Sequence, residues 1–251
     1  MDYDDAYANA PYIAGGTEYP ERWEARGLQY RALEASVGRA RLNEPYGATD
    51  RERFDLFMPS GTPEGLIFFV HGGFWRMLGR GHFAWIAEGA REVGWATALP
   101  SYRLAPEARI PEITQEVRAA LIKAAARVPG PLVLAGHSAG GHLVARMAMA
   151  DMDLSPVVAS RIERIVSISP LSDLRPMLQM AYNSDWQLTG EDAQAESPAL
   201  HAKYLDVPVH VWVGADERAA FLDQARWLAT AWDAPLTEEA GRNHYDVIES
   251  L

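Results

Sequence analysis

One segment near the middle of the chain limits the folds that the chain can adopt. Residues 132–135 are a short apolar run, Gly136-His137-Ser138-Ala139-Gly140 follows directly, and a helix pattern extends to about Met149. A strand that turns so sharply into a helix needs glycine on both sides of Ser138, because side chains there would clash. The pattern predicts that the Ser138 hydroxyl lies at the carboxyl end of a strand, near the positive end of the following helix.

Strand and helix patterns alternate through most of the chain. Residues 66–70, Leu-Ile-Phe-Phe-Val, form a continuous apolar run that is typical of a strand buried on both faces. The other predicted strands are 53–58, 95–99, 132–135, 164–168, 207–213 and 236–239. The predicted helices are 82–93, 111–127, 140–149, 219–232 and a last one that starts near residue 246. This alternation indicates an α/β fold, with a mostly parallel central sheet and helices on both faces.

Two segments fall outside the alternation. Residues 1–50 are polar but contain six tyrosines and one tryptophan, so they predict an amino-terminal extension of helix and loop rather than disorder. Residues 171–204 interrupt the order of strands and helices, and we interpret them as an insertion that caps a site. The length of 251 residues and the hydrophobic content of 48% suit one domain that spans residues 1–251.

Charge and composition argue against several classes of partner. The formal net charge of −11 argues against nucleic acid and anionic membranes, so we expect a small-molecule substrate. The chain has no cysteine and no histidine spacing typical of zinc, so we expect no metal and no other cofactor. Residues 1–5 are acidic and no apolar run reaches about 18 residues, which predicts a cytoplasmic protein without a signal peptide. The oligomeric state stays open, with a homodimer as one alternative.

A second turn of small residues follows the buried strand 66–70. It reads His71-Gly72-Gly73-Phe74-Trp75. A turn of this kind after a central strand can direct backbone N–H groups at an oxygen that gains negative charge during a reaction. Gly72 and Gly73 are therefore the candidate donors of an oxyanion hole, together with the N–H group of Ala139.

A serine nucleophile needs a general base, and three histidines follow Ser138 at a useful distance. His210 lies inside a predicted strand, which favours a structural role. His201 lies in the predicted insertion, which suggests a surface position or a helix terminus. His244 lies in a loop after the last predicted strand. In chains with this order of strands and a serine turn of this kind, the histidine that acts as general base lies in that loop. We therefore expect His244 to be the base.

The acid that orients the base is expected after the predicted strand 207–213. Two adjacent carboxylates, Asp216 and Glu217, stand there. Either side chain can orient a histidine and stabilise its imidazolium form, so this pattern leaves both residues as candidates.

Several of these motifs together resemble the α/β-hydrolase superfamily, and within it the kynurenine formamidase (arylformamidase) branch. The motifs are His71-Gly-Gly-Phe-Trp75, Gly136-His-Ser-Ala-Gly140 with the following Gly-His-Leu, and Asn243-His-Tyr-Asp246. Hormone-sensitive-lipase-like esterases are close neighbours, but they usually carry a third glycine where Phe74 stands. The segment Ser101-Tyr-Arg-Leu-Ala-Pro-Glu107 is shared with those esterases.

The resemblance implies an α/β-hydrolase fold and a serine hydrolase with Ser138 as nucleophile and His244 as base. In this family the acid stands four residues before a phenylalanine and seven before a glutamine. Phe221 and Gln224 have those offsets from Glu217, which favours Glu217 over Asp216.

The implied substrate is N-formyl-L-kynurenine. A carboxylesterase or thioesterase is the alternative, and an inactive hydrolase-fold binding module is a further one. Aromatic residues are expected to surround the aryl part of such a substrate. The candidates for this role are Phe74, Trp75, Tyr102, Trp186 and Tyr245.

Overall fold

Strands across the whole chain join into one sheet in the computed structural model, which describes residues 2–249 and 251. Within those residues the sheet has eight strands in the order β1-β2-β4-β3-β5-β6-β7-β8. The strands are β1 Ala40–Pro45, β2 Arg53–Phe57, β3 Leu66–Val70, β4 Ala96–Pro100, β5 Leu132–His137, β6 Ile162–Ile168, β7 Val209–Gly214 and β8 Leu236–Glu239. β2 runs antiparallel to β1 and β4, and the other pairs are parallel. The expected α/β fold with a mostly parallel sheet is confirmed.

The helices pack around this sheet. They are α1 Tyr3–Ala6, α2 Tyr19–Ser36, α3 Arg80–Phe83, α4 Ala87–Glu92, α5 Ile110–Ala125, α6 Ala139–Arg146, α7 Pro156–Ala159, α8 Asn183–Trp186, α9 Gly190–Ala195 and α10 Ala219–Trp232. Short 3-10 turns lie at Ala10–Tyr12, Gly16–Glu18, Ala84–Ile86, Ala150–Met152, Arg175–Gln179, Pro198–Leu200 and Asp246–Ile248. The helix that the sequence predicts near residue 246 is therefore a single 3-10 turn.

Strand β1 was not predicted. It lies at the edge of the sheet, and its side chains alternate between half-buried and exposed. The pairing with β2 is irregular between Arg41 and Glu44. The apolar alternation that identifies a strand is therefore weak here, and the predicted extension of helix and loop contains a strand as well.

Helix α5 illustrates why the predicted elements form where they do. Pro111 occupies its first turn, where a missing N–H group costs no hydrogen bond. The Glu112 side chain accepts from the backbone N–H of Arg109 at 2.8 Å and closes the amino-terminal turn. Ile113, Val117 and other apolar residues at helical spacing are buried against the sheet.

The order of the strands brings distant parts of the sequence together. β3, β5, β6, β7 and β8 are neighbours and run parallel, so their carboxyl ends meet at one edge of the sheet. Ligand sites of open α/β sheets form at that edge. None of the helices within residues 2–249 and 251 has both the length and the apolar character needed to span a membrane.

Candidate active site

The turn between β5 and α6 holds Ser138 in a strained backbone conformation. Its φ of 58° and ψ of −120° are rare for a residue with a side chain. A Cβ atom on Gly136 would lie 2.2 Å from the carbonyl oxygen of Gly140, and one on Gly140 would lie 2.0 Å from that of Val70. The glycines on both sides of Ser138 are therefore required by close backbone contacts, as the sequence pattern predicts.

His244 and Glu217 form a hydrogen-bonded pair below the surface. His244 Nδ1–H donates to Glu217 Oε2 over 2.6 Å, and the exposed fractions of the two side chains are 3% and 0%. The ring of Phe221 lies 4.1 Å from the His244 ring, measured between centroids. Phe221, four residues after Glu217, therefore packs against the ring that Glu217 contacts.

The structure brings Glu217, and not Asp216, to His244. The second oxygen of Glu217 accepts from Ser169 Oγ at 2.5 Å and from the backbone N–H of Gly214 at 2.9 Å. These contacts fix the carboxylate in the turn that follows β7. The side chain of Asp216 is exposed, and it is therefore not the acid that contacts the histidine.

Hydrogen bonds on both sides of His244 hold its loop in place. Asp246 accepts from the backbone and the side chain of Asn243, at 2.7 and 2.8 Å. Asn243 Oδ1 accepts from the backbone N–H of Tyr245 at 2.8 Å. From the other side, His137 Nε2–H donates to the carbonyl oxygen of His244 at 2.8 Å. The residue before Ser138 therefore ties the serine turn to the histidine loop.

Three buried histidines near the sheet edge are held neutral. Burial, and then the nearby ring of His244, lowers the pKa of His137 well below the usual 6.5. Burial lowers the pKa of His71 and of His142 to about 3. Each ring uses one N–H group to donate to a backbone carbonyl. These residues support the backbone and are not candidates for a second base.

The turn after β3 lies close to Ser138 and leaves two backbone N–H groups without a protein acceptor among the described residues. Gly73 has a φ of 107°, and a Cβ atom there would lie 2.4 Å from the carbonyl oxygen of Met77. A Cβ atom on Gly72 would lie 2.9 Å from Ser138 Cβ, which shows how closely this turn approaches the serine. Within residues 2–249 and 251, the N–H groups of Gly72 and Gly73 donate to no protein acceptor. Ala139 is the first residue of α6, so its N–H group has no partner inside the helix.

A cavity of about 480 Å³ opens onto these groups. Ser138, His244 and both turn glycines line it, so the predicted nucleophile, the predicted base and two of the three predicted donors share one space. Most of the remaining lining is aromatic or aliphatic, as in binding sites for small organic molecules. Of the aromatic residues expected to bind substrate, Phe74 and Tyr245 line this cavity.

The other three predicted substrate-binding residues are fully buried and lie outside the cavity lining, so their assignment was wrong. Tyr102 stacks on His71, with ring centroids 4.3 Å apart, and its hydroxyl donates to the His71 carbonyl at 2.9 Å. Trp186 Nε1–H donates to the carbonyl oxygen of Phe74 at 2.8 Å, and Trp75 packs edge-on against Trp186. These large aromatic side chains are buried in the core, where they pack against the glycine turn on the side away from the cavity.

The amino-terminal segment forms a wall of the cavity that was not predicted. We call residues 3–23 the amino-terminal wall, because its members from Asp4 to Trp23 line the cavity opposite the sheet edge. The hydroxyl of Tyr7 accepts from Gln224 Nε2 at 2.7 Å, and burial raises the pKa of Tyr7 to about 12. Asp4 Oδ1 accepts from the backbone N–H of Ala181 at 2.9 Å. The wall is therefore tied both to α10 and to the segment 171–204.

Segment 171–204 lies between β6 and β7 and consists of short helices and turns. Met180, Ala181 and Tyr182 from this segment line the cavity beside Phe74. Its role as a cap stays a prediction.

Comparison with known proteins identifies the family of this chain. The family model for the alpha/beta hydrolase fold matches residues 67–240, which is more than half of the chain. The chain belongs to the α/β-hydrolase fold family. The match includes the glycine turn, Ser138 and Glu217, and it ends shortly before the loop of His244.

Several known proteins are similar to this α/β-hydrolase chain. Kynurenine formamidase of Danio rerio is 26% identical over 263 residues, which cover 92% of this chain and 88% of that protein. A structure from Silicibacter sp. TM1040, provisionally described as a thioesterase, is 50% identical with a TM-score of 0.96, covering 99% of this chain and 94% of that one. The esterase of Pyrobaculum calidifontis is 20% identical with a TM-score of 0.69, covering 92% and 86%, and shares the fold. The predicted resemblance to kynurenine formamidases and esterases is confirmed.

Proposed function

We propose that this chain is a serine hydrolase that cleaves a small amide or ester by acyl transfer. The observation that carries this proposal is the hydrogen-bonded pair of Glu217 and His244, which meets Ser138 and the two-glycine turn at one cavity. A nucleophile, a base oriented by a carboxylate, and backbone donors for an oxyanion are the parts that acyl transfer needs. An inactive binding module would not need the strained backbone conformation of Ser138, so this strain favours an enzyme over that alternative.

In the proposed mechanism Ser138 Oγ attacks the carbonyl carbon while His244 Nε2 takes the hydroxyl proton. The carbonyl oxygen becomes an oxyanion, which the N–H groups of Gly72, Gly73 and Ala139 stabilise. Glu217 keeps the imidazole in the required tautomer and stabilises its charged form. His244 then gives the proton to the leaving group as the bond between carbon and leaving group breaks. A water molecule, deprotonated by His244, then attacks the acyl-enzyme. The bond between the acyl carbon and Ser138 Oγ breaks, His244 returns the proton to Oγ, and the acid is released.

We further propose N-formyl-L-kynurenine as the substrate. The acyl group is then formyl, the leaving group is an aryl amine, and the products are formate and the free amine. Support comes from the kynurenine formamidase relatives and from Phe74 and Tyr245, which offer aromatic surface to an aryl group beside Ser138. The cytoplasmic location predicted from the sequence suits such a small-molecule substrate.

A carboxylesterase or thioesterase is the second candidate. The relative with 50% identity, provisionally described as a thioesterase, favours it. The same nucleophile, base and donors would act on a short acyl ester or thioester, so the two candidates differ in the acyl group and the leaving group of the substrate and not in the catalytic residues.

The test is a steady-state comparison of N-formyl-L-kynurenine with short p-nitrophenyl esters and an acyl thioester. The formamidase proposal predicts the highest kcat/KM for N-formyl-L-kynurenine. Efficient cleavage of the esters or the thioester alone would contradict it and leave the second candidate. Glu217→Gln and Ser138→Ala are measured beside the wild type, so that background hydrolysis by a contaminant is recognised.

A further inference from the structure

One hydroxyl group at the cavity has no part in the proposed mechanism. Tyr245 directly follows the base, is half-buried, and lines the cavity together with Ser138 and His244. Within residues 2–249 and 251 its hydroxyl has no hydrogen-bond partner, and it is not one of the unpaired side-chain atoms that are sealed from solvent. The Tyr245 hydroxyl is therefore accessible and free to pair with a bound molecule.

The surroundings of Tyr245 hold this hydroxyl in place. The ring packs against Tyr19, Trp23 and His244, with ring centroids 5.0, 5.6 and 5.9 Å away. The backbone N–H of Tyr245 donates to Asn243 Oδ1 at 2.8 Å, so the main chain is fixed as well. A side chain that is already held in this way loses little conformational freedom when a ligand binds.

The proposed mechanism places the leaving group on the side of Tyr245. His244 must reach the leaving-group atom to give it a proton, so the leaving group lies at His244 rather than at the glycine turn that holds the oxyanion. The rings of Tyr245 and His244 are neighbours. The leaving group is therefore the part of the substrate that faces Tyr245.

The character of the cavity indicates which group the hydroxyl binds. Burial, and then the neighbouring Tyr182, raises the pKa of Tyr245, so the hydroxyl keeps its proton at neutral pH and can donate a hydrogen bond. Among the described residues that line the cavity there is no lysine or arginine, and Asp4 is the one aspartate or glutamate. An anionic acceptor would be left there without a cation, whereas a neutral carbonyl oxygen needs only a hydroxyl donor.

We propose that Tyr245 is a specificity-determining residue whose hydroxyl donates to a carbonyl oxygen on the leaving group, so that the enzyme prefers aryl amides or esters that carry such a carbonyl. The inference rests on the proposed hydrolysis at Ser138, because that reaction brings the leaving group to His244. It adds a polar contact to the aromatic surface that Tyr245 offers to the substrate.

The experiment compares formanilide with 2-acetylformanilide, which differ in one acetyl group on the leaving group. Tyr245→Phe removes the hydroxyl and keeps the ring. In this variant kcat/KM for 2-acetylformanilide is expected to fall about three- to tenfold, mainly through KM, because one hydrogen bond is lost. The value for formanilide is expected to stay within about twofold of the wild type. Tyr204→Phe is the matched control, because Tyr204 is exposed and lies outside the cavity lining.

A labelling rate separates this role from a structural one. Diisopropyl fluorophosphate reacts with a nucleophilic serine and has fluoride as its leaving group, which carries no carbonyl. The rate constant for inactivation of Tyr245→Phe by this reagent is expected to stay within about twofold of the wild type. A much slower rate, or equal losses on both formamides, would show that the hydroxyl supports the catalytic groups and would overturn the inference. No loss on either formamide would overturn it as well.

An ester pair keeps the inference separate from the formamidase proposal. If the wild type cleaves neither formamide, Tyr245→Phe is compared with it on phenyl acetate and 2-acetylphenyl acetate, of which only the second carries a ketone on the leaving group. A loss confined to 2-acetylphenyl acetate supports the inference, whether or not N-formyl-L-kynurenine is a substrate. Equal losses on both esters, no loss on either, or no hydrolysis of any of the four compounds by the wild type overturns it.

Discussion

Replacing Glu217 with glutamine removes one negative charge and almost no volume. In the native protein Glu217 Oε2 lies 2.6 Å from His244 Nδ1, and the carboxylate is fully buried. During the reaction His244 becomes positively charged. Two unit charges about 4 Å apart attract by about 4 kcal/mol at an effective dielectric constant of about 20. At 1.36 kcal/mol for each factor of ten, Glu217→Gln is expected to lower kcat by about a thousandfold.

The adjacent Asp216 supplies a matched control. Its side chain is exposed and away from His244, so Asp216→Asn is expected to change kcat by no more than about twofold. Both variants are assayed under substrate saturation, with thermal unfolding measured to show that each is folded. A Glu217→Gln enzyme within tenfold of the wild type, or an equal loss in Asp216→Asn, would refute the assignment of the acid.

Three further predictions follow from the same site. Gly140→Ala is expected to prevent folding or abolish activity, because the new Cβ would lie 2.0 Å from the Val70 carbonyl oxygen. The control Gly190→Ala is expected to fold normally, because its Cβ meets no atom within 4 Å. Circular dichroism and turnover are measured for both variants. Stability is expected to fall below pH 6.5, because the buried neutral histidines take up protons only when the chain unfolds. These histidines are His71, His137 and His142. His71 and His142 each contribute a loss of about 1.6 kcal/mol between pH 6.5 and 5, and His137 adds to the loss in the same direction. Urea unfolding that is independent of pH over this range would contradict this prediction. Tyr102→Phe removes the hydroxyl that donates to the buried His71 carbonyl. The free energy of unfolding in urea is expected to fall by about 1–3 kcal/mol, and an unchanged value would show that this hydrogen bond contributes nothing to stability.

The serine turn and the histidine loop were predictable because local sequence determines them. Gly136 and Gly140 are needed wherever a strand turns so tightly into a helix, and the order of serine, acid and histidine follows from the order of the strands. The choice between Asp216 and Glu217 as the acid is not determined by the local sequence pattern. It depends on which side chain turns inward after β7, and the hydrogen bond that the Gly214 N–H donates to Glu217 forms only in the folded turn.

The amino-terminal wall could not be predicted, because it depends on contacts between residues far apart in sequence. Tyr7 and Gln224 are 217 positions apart, and no local pattern reports such a pair. The one available signal was the density of aromatic residues in the first fifty positions. It indicated that this segment packs against the rest of the chain, but it did not indicate which residues the segment contacts. The aromatic residues Trp75, Tyr102 and Trp186 were wrongly placed in the cavity for the same reason, since sequence does not separate a supporting aromatic from a lining one.

The central claim is that Ser138 is the nucleophile, and active-site labelling tests it most directly. The wild type is incubated with a fluorophosphonate and its intact mass is measured, followed by peptide mapping and by turnover of the preferred substrate. We predict one added group on Ser138 with complete loss of turnover, and neither labelling nor turnover above background in Ser138→Ala. Labelling at another residue, or turnover of the wild-type magnitude in Ser138→Ala, would contradict the account.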